Sequence, residues 1–269
     1  MTPTTHQAGR SPGRYERLGR SYRQTRRQDP RIAERIWAAL GDAASVLNVG
    51  AGTGSYEPAW LRVAAIEPAD TMLRQRPATA APAVKAVAEA LPFGKQSFDA
   101  AMALLTVHHW TDPARGLAEL RRVASRVVLL CSTTLTNDLW LTREYFPAMA
   151  RQRRPQIQAE AIAGQFGELG WRVRIETVPL PRDCLDGFGE AFWARPHAYL
   201  DPAVRAGMSA FALLTDAERR PGLERLAADL ASGAWQARHG NLADLAELDC
   251  GHRLLVADRV TRSVRGGGT

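Results

Sequence analysis

Lysine is almost missing from this chain: Lys85 and Lys95 are the only two among 35 basic residues. The net charge of +7 and the isoelectric point near 9.9 are therefore carried by arginine. In an Ala- and Arg-rich chain such a bias follows from a GC-rich coding sequence, so a basic balance alone does not call for a nucleic acid partner. Nine of the arginines fall in residues 1–35 and read as a solvated segment, with a polyanion contact as the minority reading. Cysteine is also scarce. Cys131, Cys184 and Cys250 are odd in number, far apart and without a CxxC pair, which excludes a zinc-ligand pattern or a disulfide framework and leaves them as buried thiols. No run approaches the roughly 18 apolar residues of a membrane span. The opening MTPTTHQAGR has no apolar stretch of the secretory kind, so a cytoplasmic location is the expectation.

What is present is material for a core: 45% of the 269 residues are hydrophobic, enough for a single domain over 1–269. No internal repeat is visible. Residues 1–14 and the RGGGT tail read as disordered. Between them, short apolar runs alternate with helical periodicity, which predicts an α/β fold with a seven-stranded, mostly parallel, doubly wound Rossmann-like sheet. The expected strands are Ser45–Val49, Val63–Glu67, Ala83–Val87, Phe98–Thr106, Arg126–Thr133, Trp171–Val178 and His252–Arg259. Helices are expected over Asp29–Leu40, with Ile32, Ile36 and Leu40 on one stripe, over Asp112–Val123, opening on Asp112 as N-cap with Pro113 at the first helical position, and over Ala159–Leu169. Residues 179–251 exceed what a connection needs and read as a helical, aromatic insertion, with helices over Ala203–Leu214 and Glu218–Leu230. Its rings could line a substrate chamber or form the insertion's own small core, and the second is the plainer reading.

The segment VLNVGAGTGSYE places Gly50, Gly52 and Gly54 directly after the first strand. Glycine there permits positive φ and lets a ligand approach bare main chain. The next strand ends on Glu67, where a carboxylate can accept ribose hydroxyls. Ser55 stands where a dinucleotide fingerprint wants Gly or Ala, and no GxxxxGK string exists, so neither NAD nor a P-loop nucleotide fits as well as S-adenosylmethionine (SAM).

VLNVGAGTG, IEPADTML at 66–73, AEALPF at 88–93 and FDAAMALLTVHHWTDPARGLAELRRV at 98–123 closely resemble class I SAM-dependent methyltransferases. Within them they look most like the bacterial small-molecule group (methyltransferase type 11) that includes ubiquinone- and menaquinone-biosynthesis enzymes and sugar O-methyltransferases of antibiotic pathways. The resemblance is good over 15–133 and weakens to an order of elements beyond. It implies that Gly50, Gly52 and Gly54 pass beneath the methionine part of SAM, that Glu67 holds the ribose and that Pro68 lies near the adenine. It further implies that Ala88 offers its N–H to the ring with Glu89 beside it, and that Leu105 and Thr106 flank the amino acid part. Asn48 stands where many relatives have Asp, and Val87 where Asp or Ser often meets the adenine amine; valine cannot. YERLGRSYRQTRR resembles a lid over 15–35, in which Tyr15, Tyr22 and Arg26 are candidates to cover the cofactor.

His108 and His109, just past the fourth strand, resemble the His pair of small-molecule O-methyltransferases. One of them is expected to meet the acceptor as a base, and alternation along the chain would send the two to opposite sides. Weaker candidates are Asp183, Cys184 and Asp186 in RDCLDGF, which either face the pocket or cap a turn, and Trp140, Tyr145, Phe146 and Tyr199, which either form an aromatic wall or pack a core. The function expected is methyl transfer to an O or N atom of a small molecule, without metal, nucleic acid or membrane. The alternatives are an RNA or protein methyltransferase, disfavoured by the absence of NPPY-type and Pro-Cys motifs, and a non-catalytic SAM-binding protein.

Overall fold

A computed structural model describes residues 25–152 and 157–260. The strands of the main sheet are β1 (Ser45–Val49), β2 (Arg62–Ile66), β3 (Ala83–Val84), β4 (Phe98–Leu104), β5 (Ala124–Ser132), β6 (Trp171–Thr177) and β9 (His252–Arg259). Their order is β3-β2-β1-β4-β5-β9-β6, all parallel except β9, which runs antiparallel to both neighbours. A separate antiparallel pair joins β7 (Leu180–Pro181) to β8 (Glu247–Leu248). The expected Rossmann-like sheet is present.

Alternation within the strands divides the core. Val46, Ala100, Met102, Val128, Leu130, Leu254 and Val256 face one side, where they meet Ile32, Ile36 and Leu40 of α1 (Pro30–Leu40). Leu47, Ala101, Ala103, Val127, Leu129 and Leu255 face the other. The short α2 (Asp70–Leu73) follows β2; α3 (Pro113–Val123) and α4 (Ala159–Glu168) cover that second face with Leu117, Leu120, Ile162 and Phe166. The Asp112 cap forms as expected, accepting from the Arg115 N–H, and Asp29 caps α1 in the same way by accepting from the Arg31 N–H.

Most boundaries shift by one or two residues, and three differences have a distinct physical cause. β3 stops at Val84, because it is an edge strand whose outer residues Val84 and Val87 are 45% and 41% exposed and gain little from pairing. β4 stops at Leu104, because Leu105 turns to φ +52 and cannot stay extended. The helix expected over 203–214 is broken into α5 (Pro202–Ala206) and α6 (Ser209–Ala212). Gly207 sits in the break, where a side chain would collide with Thr25, and Met208 is extended. Beyond it α7 (Asp216–Ser232) starts on a capping box between Thr215 and Glu218, and α8 (Ala234–His239) follows the left-handed Gly233.

Residues between β7 and β8 pack on the same sheet face as α1. Trp193, Tyr199, Phe211 and Trp235 are buried together with Trp140, Tyr145 and Phe146. Trp140 meets Tyr145, Tyr199 and Trp235 edge-on with ring centroids 5.3–5.8 Å apart. These aromatics are core, whereas Phe188, another ring of the insertion, lines the chamber described below.

Candidate functional site

Strand order reverses beside β1, whose neighbours are β2 and β4. Open α/β sheets bind ligands outside the carboxyl ends at such a switch point. Here the chain leaves β1 through Gly50, Gly52 and Gly54 at φ +72, +53 and +95, the left-handed region that glycine enters without strain. Gly50 and Ala51 donate to the Ile66 carbonyl at 2.8 and 2.9 Å, tying the bend to the end of β2. The Glu67 carboxylate accepts from the Gly52 N–H at 2.8 Å and from the Ala69 N–H at 2.9 Å. Two backbone donors hold it against the bend, and a carboxylate retains lone pairs for further donors. The two glycines differ in their surroundings. A Cβ on Gly50 would lie 2.2 Å from Thr106 Oγ1, whereas one on Gly52 would meet nothing within 4 Å among the described residues. Gly50 is closed by the protein; Gly52 faces open space.

Behind the bend lies a polar network that the sequence motifs did not reveal. Asn48 Nδ2 donates to Glu57 at 3.1 Å, and Arg76 donates to the same carboxylate at 2.8 and 2.9 Å and to the Gly52 carbonyl at 3.2 Å. Arg76 and Glu57 are each 6% exposed, a buried pair with its hydrogen bonds met.

The cleft over the bend is lined by Asn48, Gly50, Gly52, Tyr56, Leu105 and Arg26, among others. Leu105, Leu130 and Arg26 also border a larger chamber, with a cavity volume of about 120 Å³ behind an open mouth. His108 and His109 both line this chamber. They occupy a 3-10 turn over Val107–His109, with ring centroids 3.8 Å apart. The expected alternation to opposite sides fails because the chain has left strand geometry at Leu105. At the far side, His252 opens β9 opposite Ser132 of β5, and its Nε2 lies 3.6 Å from Glu190.

Arg26 is fastened by Asp186, 1% exposed, through Nε at 2.5 Å; Asp186 also accepts from the Tyr56 hydroxyl at 2.9 Å. Burial, then the Asp186 carboxylate, pushes the Tyr56 phenol far above its usual value, so it remains a donor. Asp186 thus joins the segment before α1, the end of the glycine bend and the insertion. Asp183 is exposed and pairs with Arg31; Cys184 is buried with its thiol near the Asp186 carbonyl at 3.7 Å. Of the remaining expected residues, Ala88 is buried, Pro68 half-buried, and Glu89 accepts from the Thr111 and Asp112 N–H groups at 2.8 and 3.1 Å, anchoring the entry to α3. Pro68, Ala88 and Glu89 are not on the cleft lining. Tyr15 and Tyr22 lie outside the described residues.

A methyltransferase domain family matches residues 47–130. A protein of Anabaena variabilis, assigned to methyl transfer in an antibiotic biosynthesis pathway, is 31% identical over 88% of this chain and all of its own, with a TM-score of 0.78. The chain is a class I SAM-dependent methyltransferase. A SAM-dependent methyltransferase of Thermotoga maritima (15% identity, 93% and 100% covered, TM-score 0.52) and the 4+2 cyclase SpnF (15%, 96% and 97%, 0.54) share its fold, and at that identity nothing more follows. No curated protein matches the sequence.

The methyltransferase's cofactor is SAM, and the bend suits it. Among the described residues nothing lies over Gly52, which leaves its main chain open to close approach, and the buried Glu67 carboxylate is bound to its N–H. Among the described residues no cluster of metal-ligating side chains occurs, and no helix is long and apolar enough to cross a membrane.

Proposed function

We propose that this methyltransferase moves a methyl group from SAM to an oxygen or nitrogen of a small molecule held in the chamber beside His108 and His109. The observation that carries the reading is the Glu67 carboxylate held 2.8 Å from the Gly52 N–H at the switch point, with open space over Gly52. Glu67 would hold the ribose, Gly50, Gly52 and Leu105 would border the methionine part, and Ala88 with Pro68 would border the adenine; Arg26 would close the cleft from above. SAM supplies an electrophilic methyl group on a sulfonium.

Leu105 and Leu130 border both spaces, so an acceptor lying against them is held next to the cofactor. Orientation of that kind provides much of the acceleration of a displacement. His108 or His109 takes the proton that the acceptor's hydroxyl or amine gives up, a task suited to imidazole near neutral pH. The chamber's small volume, about 120 Å³, supports a small acceptor over a macromolecular one.

Calorimetry with S-adenosylhomocysteine tests the cofactor half: binding is expected, weakened about tenfold or more in Glu67→Gln, and no heat at millimolar ligand would overturn it. Mass spectrometry of metabolite extracts incubated with SAM tests the acceptor half. A mass gain of one methyl group on a small molecule is expected, and label appearing only on RNA or protein would refute it.

A further inference from the structure

Gln158 is the residue before α4, is 7% exposed and lines the chamber. A residue in that position ordinarily turns its side chain back to the free N–H groups of the first helical turn; Gln158 makes no such bond. Its Oε1 is buried, with no hydrogen-bond partner among the described residues. Native interiors satisfy the great majority of such oxygens, because an unmet one is destabilising. Neither the fold nor the proton transfer assigned to the His pair makes use of this amide.

The rest of the wall says what kind of molecule the amide would meet. Leu130, Met149, Ile157, Phe188 and Leu213 make much of it apolar. Among the described residues, the fully charged side chains on the lining are Arg26 and Glu190. Arg26 is bound to Asp186, and Glu190 lies beside His252. Among the described residues no guanidinium or ammonium on the lining is left over to neutralise a carboxylate or phosphate, and burying such a group without one is strongly unfavourable.

We propose that the acceptor is a neutral, largely apolar molecule bearing a hydroxyl besides the atom that takes the methyl group, and that Gln158 positions it by accepting a hydrogen bond from that second hydroxyl. This rests on the chamber being the acceptor site. A carboxamide oxygen selects a donor: an ether of the same shape offers none, and a site built for a hydrogen bond discriminates against the analogue that cannot make it. Gln158 is a positioning residue and takes no part in the proton transfer.

The test uses the full chain saturated with S-adenosylhomocysteine, titrated in a calorimeter with para-ethylphenol and with its methyl ether, para-ethylanisole. The wild type should prefer the phenol by about tenfold, the worth of one net hydrogen bond. Gln158→Leu should bring the two ligands to within about twofold while leaving S-adenosylhomocysteine affinity unchanged. Its melting temperature without phenol should hold or rise by about 3 °C, since an apolar side chain removes the unmet amide. Equal binding of both ligands, binding of neither, or a preference that survives in Gln158→Leu overturns the proposal. So does a fall of several degrees in melting temperature, which would make the amide structural. If the wild type gives no S-adenosylhomocysteine heat, the cofactor reading falls first and this one with it; intact cofactor heat without a phenol preference removes this one alone.

Discussion

Along the carboxyl edge of the sheet, the β1–β2 end is shaped by main chain, while the β4–β5–β9 end is shaped by side chains. At the first end, glycine torsions, two N–H groups on the Ile66 carbonyl and one on Glu67 set the contour within twenty residues of sequence. At the second, His108, Gln158, Phe188, Met208 and His252 come from five separate segments to enclose one space. A ligand common to a family can be met by backbone, because backbone geometry is kept while side chains change. A ligand particular to one protein needs side chains, and these can be exchanged without disturbing the sheet.

The largest expected effect sharpens this contrast within the backbone end itself. Gly50→Ala would place a methyl group 2.2 Å from Thr106 Oγ1 at φ +72, so it should cost about 3 kcal/mol of stability and remove S-adenosylhomocysteine binding. Gly52→Ala, at φ +53 with nothing within 4 Å among the described residues, should cost only about 1 kcal/mol. Its methyl group would still enter the cleft and weaken binding by 100-fold or more. Denaturant melts and calorimetry on both variants separate the two roles; equal stability losses would show that Gly52 is as enclosed as Gly50.

Asp186 is where the two ends are fastened together. Removing it by Asp186→Ala leaves Arg26 (14% exposed) without its carboxylate and takes the acceptor from the Tyr56 hydroxyl. Loss of one member of a buried pair typically costs about 3–5 kcal/mol. If the clamp positions the cleft, S-adenosylhomocysteine affinity should fall as well, by roughly tenfold. A variant of normal affinity and lowered melting temperature would confine Asp186 to a structural role.

The backbone end was also the part that could be read from sequence. Gly50, Gly52, Gly54 and Glu67 stand at fixed spacing after apolar runs, and torsional need leaves few residue types that can occupy such a bend. The strands were legible because burial on both faces demands continuous apolar runs, and β9 was placed to the residue. The edge strand β3 was read too long because apolar composition does not report exposure. The chamber was not legible: Gln158, Glu190 and His252 carry no local pattern, and only the folded sheet brings them to one wall. His108 and His109 were found by resemblance, but their common side depends on the turn that Leu105 starts at φ +52, a torsion no composition announces for leucine. Asp186 was weighed as a turn cap, since the partner that gives it meaning lies 160 residues away at Arg26.

A smaller effect concerns acid. Burial works against ionisation of Asp29, yet hydrogen bonds from the Arg31 side chain and from the Leu185 and Arg31 N–H groups prevail and hold its carboxyl below the ordinary 3.8. A depressed value stabilises the fold fully above the ordinary value, and that contribution is lost as pH falls through the lower, folded one. Asp29 joins the start of α1 to the turn at Leu185, so the loss falls beside the Arg26–Asp186 clamp. The melting temperature of Asp29→Asn should lie below wild type at pH 7 and converge with it below pH 3.8. A constant gap down to pH 2 would deny the carboxylate this role.

The weakest expected signal tests whether the chamber end is as dry as its apolar wall implies. Cys131 lines the chamber, and burial, aided by the Glu160 carboxylate, pushes its thiol up to about 12. Burial likewise takes Cys184 to about 12 and drives Cys250 well above the ordinary value. Only the thiolate attacks a disulfide reagent, so at pH 8 Cys184 and Cys250 should stay silent towards dithionitrobenzoate until the protein is unfolded. Cys131 should react at a small fraction of the rate of a free thiol, and more slowly still with para-ethylphenol present, because that ligand would occupy the space beside it. Fast reaction of one thiol at pH 8, insensitive to the phenol, would mean that water reaches this wall freely, and the division between a backbone-built cleft and a dry, side-chain-built chamber would no longer hold.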